Sequence, residues 1–334
     1  MPNKPFLPEP ARYFPLNPGG YGIEPGLSRL GKDFGNGDAD RKLFQIDTQF
    51  IAYRHNALSA RRERPGKYVC NLSAESTGSR LANLFIAKQL AAEHPGLFNI
   101  DTTSDHLALS CRLSGDRLVF RHSGTLDVTL TTTADAGQFK NGWDALGCQV
   151  QEDMALVSVD QDNNIITALH LCAANHWGAE QKIGQSFLDA HAAVPRFTQR
   201  YSDNNKLLHG LMSKGPYTRF AWGLATDCRL NHHPVAPEHV NADDWRGRRF
   251  DPANPELYLR IERQCLQGVP GTSQLLFTIR TYFLDAREIA KSQNEAGLLI
   301  SSLKGMDAAS QQYKGLSADR DDIIGWLGTL PALS

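Results

Sequence analysis

Cys172-Ala-Ala-Asn-His176-Trp177-Gly-Ala-Glu180-Gln-Lys182-Ile183-Gly-Gln-Ser-Phe187-Leu-Asp-Ala190-His191-Ala-Ala-Val194-Pro195-Arg-Phe197 is the stretch around which the chain is organised. Ile183, Phe187 and His191 lie four apart, so on a helix they share one face, and the apolar company marks that face as inward. Pro195 cannot continue a helix and biases Val194 away from the α region, which puts His191 in the last full turn. The spacing thus predicts an imidazole aimed at a core from a rigid element. An inward histidine is more often a hydrogen-bonded core residue than a ligand, and periodicity alone leaves both readings open.

The 334 residues suffice for one large domain or two small ones. A net charge of -1 with 21% charged residues gives no basic excess for nucleic acid and no acidic tail. No apolar run approaches a membrane span, and the proline-rich first thirty residues contain no apolar block, so a cytoplasmic protein is expected. Cys70, Cys111, Cys148, Cys172, Cys228 and Cys265 form no Cys-x-x-Cys pair, which reads as reduced thiols and argues against an iron–sulfur or structural zinc cluster in this chain.

Working outward, Met154 to Val159 and Ile165 to Cys172, split by Asp160-Gln-Asp-Asn-Asn164, predict a hairpin leading into the histidine segment. Tyr217 to Leu224 alternates as a strand, with Arg219 and Ala221 on one side and Phe220 and Trp222 on the other. Two further strands are expected at 257–266 and 275–282, each carrying arginine inside a core-like run. Strands at 107–113, 118–120 and 126–130 form an amino-terminal antiparallel layer. Helices are expected from Leu43 to Ala60, from Ser79 to His94 with Pro95-Gly96 as the stop, from Asp144 to Val150, from Asn204 to Met212, and beyond Asp285. The Pro/Gly-rich start to about Gly37 reads as an extended arm, Arg61-Arg-Glu-Arg64 as a solvated face, and Arg229 to Pro255 as a long surface loop. The fold class is α+β, arranged as 1–100 arm and helices, 101–285 core and 286–334 helical extension, with no internal repeat.

Three motifs in order carry a family resemblance. Trp177 with Glu180-Gln-Lys-Ile-Gly184 and then Ala190-His-Ala-Ala-Val-Pro195, Gln151-Glu-Asp153 before an apolar strand, and Leu259-Arg-Ile-Glu-Arg-Gln264 followed by Phe277-Thr-Ile-Arg-Thr-Tyr282 resemble the haem-dependent oxidative N-demethylase alpha-subunit family. The region from Asp47 to Arg62 is similar to that family's amino-terminal helix. The resemblance implies a PAS-like antiparallel sheet with helices packed on it. It implies haem b held by His191 as the metal ligand, with Trp177 and Lys182 of the same motif beside the cofactor. It further implies oxidation of a methylated amine by dioxygen, with electrons from NADPH reaching the haem through a separate protein bearing a flavin and an iron–sulfur centre.

Haem propionates need cationic partners, for which Arg280 and Arg263 are the candidates and Arg260 the weaker one. Glu152 and Asp153 are the carboxylates expected to hold a cationic amine or act on its proton, and Trp222 and Tyr282 the aromatic wall that favours an alkylammonium group. His170, alternating on its strand with Ala168 and Cys172, reads as a core or pocket-wall residue near the substrate; His176 is the competing iron ligand. The chain departs from the family pattern at Ala173-Ala-Asn-His176, where Phe-Pro-Ser-x is expected, and at Ala221, where asparagine is expected. The reading from another class is a haem-PAS gas or redox sensor without turnover.

Overall fold

The computed structural model describes residues 5–18, 21–22, 26–74, 76–122, 126–130, 139–201, 203–246 and 249–330, the strand at 126–130 by its backbone alone. In chain order the elements are β1 (Ser28–Arg29), α1 (Phe50–Glu63), α2 (Pro65–Tyr68), β2 (Val69–Asn71), α3 (Thr77–Glu93), β3 (Phe98–Thr102), β4 (His106–Cys111), β5 (Arg117–Arg121), β6 (Leu126–Leu130), α4 (Gly142–Gly147), β7 (Glu152–Val159) and β8 (Asn164–His170). There follow α5 (Ala179–Lys182), α6 (Phe187–Ala190), α7 (Phe197–Arg200), α8 (Asn204–Lys214), β9 (Tyr217–Ala225), α9 (Ala242–Arg246), β10 (Tyr258–Gly268), β11 (Gln274–Asp285), α10 (Ala286–Ala290), α11 (Gln293–Lys304), α12 (Ala308–Tyr313) and α13 (Arg320–Thr329). The mixture of helix with antiparallel sheet is the expected α+β class.

Seven strands form one sheet in the order β1-β9-β10-β11-β7-β8-β2, and β3 to β6 form a second. Every pair is antiparallel, with β10 and β11 in register from Tyr258↔Asp285 to Gly268↔Leu275. Period-two alternation sorts the large sheet into two faces. Ala155, Val157, Leu266 and Leu275 point to one face, under Leu208 and Leu211 of α8, with Phe187 and Ala190 of α6 packed against them. Met154, Leu156, Cys265 and Leu276 point to the other, under α1, α3 and α4. The C-terminal helices and the arm cover the far end of that second face, where Tyr13 and Leu16 pack with Ile261, Tyr282 and Leu303.

The arm is docked, with Arg12 paired to Glu295 at 2.5 Å and Tyr13 buried. The first helix begins at Phe50, because Leu43 to Ile46 are buried as an extended segment whose backbone N–H groups donate to Glu93 and Glu152. Arg61 corrects the solvated-face expectation: it is buried and grips Asp144 with two bonds, at 2.6 and 2.9 Å. His232 and His233, placed by sequence on a surface loop, are also buried. Among the described residues no helix is long and apolar enough to cross a membrane.

Candidate functional site

The predicted single helix through His191 is two separate turns. Gly184 takes φ +79, a conformation that breaks the run, and Ser186 restarts the chain as α6 by accepting from the Asp189 N–H at 3.1 Å. His191 is the residue that closes α6, five positions before Arg196, which is itself left-handed at φ +61.

At that position Nδ1 lies 2.7 Å from the Phe187 carbonyl, which only accepts, so Nδ1 carries the proton and the lone pair sits on Nε2. Nε2 makes no hydrogen bond among the described residues. The ring stacks on Phe197, with centroids 4.7 Å apart and planes 16° apart, and touches Phe187 at 4.4 Å. Burial pushes the imidazole down to about 4, so it is neutral at neutral pH and remains a ligand rather than a cation.

His191 lines a cavity of about 1540 Å³ that also takes in Trp177 and Lys182. This exceeds the roughly 300–1,000 Å³ usual for small-molecule pockets. Its floor is the face of the sheet bearing Ala155, Val157, Leu275 and Phe277, and it continues round β9 to Trp222, Tyr13 and Phe34. Trp222 therefore reaches the cavity from the opposite side of β9, packed edge-on against Tyr21 at 5.8 Å.

Strand parity moves several expected site residues elsewhere. Arg263 and Arg280 face each other across β10 and β11 on the face away from the cavity. Arg280 is fully buried, pairs with Asp47 at 2.7 Å and lies over the rings of Tyr53 and Tyr282 at 3.8 and 4.9 Å. Arg263 donates to the Lys42 carbonyl at 2.8 Å. Tyr282 donates to Gln45 on that same side. Arg260 is buried against the carbonyls of Ala173 and Leu230 and Nδ1 of His232, where it ties two loops together. These side chains tie the arm and loops to the sheet, and none of the four lines the cavity that holds His191, where a propionate or substrate was expected to meet them.

The two expected carboxylates also lie outside the cavity lining and are held by backbone N–H groups. Glu152 accepts from the Gln45 N–H at 2.8 Å, and Asp153 accepts from the N–H groups of Cys172 and Ala173 at 2.6 and 3.0 Å. Burial pushes both up to about 7. For Glu152, whose carboxyl would titrate near 4.5 in the unfolded chain, the folded protein holds the extra proton between pH 4.5 and 7, so this residue's contribution to stability is lost as pH rises through that window. Glu152→Gln is expected to flatten that fall relative to wild type; parallel pH–denaturation curves for the two proteins would refute it.

His170 is buried behind the sheet, with Nε2 and Nδ1 each 3.8 Å from a thiol, those of Cys148 and Cys172. Asp144, Cys148 and His170 are the one group with metal-ligand spacing among the described residues. The Asp144 carboxylate is already taken by Arg61, and burial holds the Cys148 thiol up at about 12, so the group lacks the thiolate a metal would need.

Sequence reading missed two charged residues on the cavity floor. Arg219 and Glu262 share the floor's face, since Arg219 pairs with Gln264 and Ala221 with Glu262 in the β9–β10 register. Burial pushes the guanidinium of Arg219 and the ammonium of Lys182 below their ordinary ranges, and both lie close enough to His191 to depress its basicity. Glu262 accepts one hydrogen bond, from the Gln264 amide at 3.0 Å, and makes no ion pair among the described residues. The methyl of Ala221 opposite it leaves that carboxylate open to the cavity.

A large chamber with an aliphatic floor, with a neutral imidazole offering a bare nitrogen on its wall and with cations near it, would suit a cofactor ligated by histidine. The donor set fits haem: the free Nε2 for iron, the aliphatic floor for the macrocycle, and Lys182 and Arg219 for the propionates. The chain belongs to the family described as haem-dependent oxidative N-demethylase, alpha subunit-like, whose model matches residues 36–324.

Proposed function

We propose that this chain is the haem-bearing component of an oxygen-dependent oxidoreductase that removes a methyl group from a small amine, with electrons delivered from NADPH by a separate flavin and iron–sulfur protein. The observation that carries it is His191, whose Nδ1–H is spent on Phe187 and whose Nε2 is left bare on the wall of a cavity large enough for a cofactor and a substrate together. Bound haem b would supply the one-electron and dioxygen chemistry. His191 would hold it, Lys182 and Arg219 would meet its carboxylates, and the aliphatic floor would keep water out.

Glu262 takes the role expected of Glu152 and Asp153, holding a cationic amine on the cavity floor. Membership of the family supports the haem and the oxidative reaction. The PAS-like reading is supported by the five central strands: numbered from β7 to β11 in chain order, they lie second, first, fifth, fourth, third, with His191 in the long connection between the second and third.

The test is haem-loaded protein with a chemical reductant, oxygen and a panel of N-methylated amines, followed by formaldehyde release. Aldehyde produced in proportion to amine supports the reading. Oxygen binding that no amine converts to aldehyde would leave a sensor.

A further inference from the structure

Lys314 follows α12 and reaches the edge of β9, where its ammonium donates to the carbonyl of Trp222. It lines the same cavity as His191 and Glu262. The rings of Tyr21, Trp222 and Tyr313 stand 6.0, 5.8 and 5.7 Å from its nitrogen. An ammonium carries three donors, and beyond the Trp222 carbonyl this one has no hydrogen-bond acceptor and no ion-pair partner among the described residues. Burial pushes it down to about 8, with Glu262 drawing it up and Arg219 further down, so the three charges lie within electrostatic reach of one another.

The cavity therefore presents a carboxylate and an ammonium, each without an ion-pair partner among the described residues, with Arg219 adding a second positive charge beside them. A simple alkylammonium ion satisfies Glu262 alone and is repelled by the two cations. A molecule with both a cationic nitrogen and an acid group satisfies both ends and relieves an unpaired, partly desolvated lysine.

We propose that Lys314 is the carboxylate receptor of the substrate site and that the preferred substrates are N-methylated amino acids, the methylated nitrogen lying toward Glu262 and the acid group on Lys314. This rests on reading the cavity as an amine-oxidising site.

The test is calorimetric titration of the haem-loaded protein with N,N-dimethylglycine and with dimethylamine, which reads the subsite with or without turnover. Wild type is expected to bind dimethylglycine the more tightly. Lys314→Met is expected to weaken dimethylglycine on the order of ten- to a hundredfold, the worth of one hydrogen bond to a charged group, and to leave dimethylamine unchanged or tighter. Lys314→Arg, which keeps the charge, is expected to retain most of the preference and guards against a folding defect in the methionine variant.

Equal affinity for the two probes in wild type, or equal losses in Lys314→Met, overturns the proposal. So does a fall in Soret absorbance per protein in that variant, which would assign Lys314 to a haem propionate. Formaldehyde from dimethylamine without any preference for dimethylglycine sinks this proposal alone. Absence of formaldehyde from both probes sinks the amine-oxidising reading, while calorimetry still decides the role of Lys314.

Discussion

His191→Ala is expected to purify without a Soret band and to take up haem with an affinity lower by at least two orders of magnitude. The substitution removes the imidazole whose proton is fixed on the Phe187 carbonyl and whose Nε2 is left bare at the cavity. His176 also lines the cavity, but it is stacked on His232 at 5.4 Å and lies outside the α5–α6 segment. The backbone is expected to survive, because the hydrogen bond to Phe187 is a local one within a single turn and the lost ring leaves space open to an existing cavity.

Proton competition gives a second readout. A ligating histidine must be neutral. Burial holds His191 at about 4, so haem is expected to stay bound well below the pH near 6.5 at which an ordinary histidine would protonate, with release as pH falls toward 4. Loss of the Soret band with a midpoint near 6.5 would contradict the burial of this ring. An unchanged spectrum in His191→Ala would remove the basis of the proposed function.

Much of the architecture was legible because it rests on local signals. The hairpin of β7 and β8, the paired long strands β10 and β11, and the stop of α3 before Pro95 follow from alternation and from turn residues. The contact between Phe187 and His191 follows from their spacing of four. What was not legible depends on pairing across the sequence. Arg263, Arg280 and Tyr282 stand out on their strands, yet only the register of β10 against β11 and the docking of the arm decide which face they share.

The same parity that turns Arg280 away turns Glu262 and Arg219 toward the cavity. Glu262 was visible as a charge inside an apolar strand, but nothing local showed which face of the sheet it would take. Lys314 carried no local signal, since its place comes from the C-terminal helices folding back onto the edge of β9. The break at Gly184 was readable in principle from Ser186 and Asp189, a helix-start pair three apart, and was overridden by the longer apolar periodicity.

Asp47→Ala is expected to destabilise the fold by about 3–5 kcal/mol, the usual cost of leaving one member of a buried ion pair alone. Arg280 is wholly enclosed, its Nη2 is 2.7 Å from Asp47, and two tyrosine rings close over it, so water cannot replace the lost carboxylate. Asp47 also accepts from the Gln151 side-chain amide at 2.9 Å and the Gln49 N–H at 2.9 Å, so its removal loosens the segment that carries the chain into α1. In Asp47→Leu/Arg280→Met both charges go together, and the loss is expected to be smaller than for Asp47→Ala, because no charge is stranded. Denaturant unfolding of the two variants measures the difference. Haem content per folded molecule is expected to equal that of wild type in both, since the pair lies on the face of the sheet away from His191. A double variant that folds but cannot retain haem would return Arg280 to the propionates, and a single variant as stable as wild type would mean that the guanidinium finds water in a place the packing closes to it.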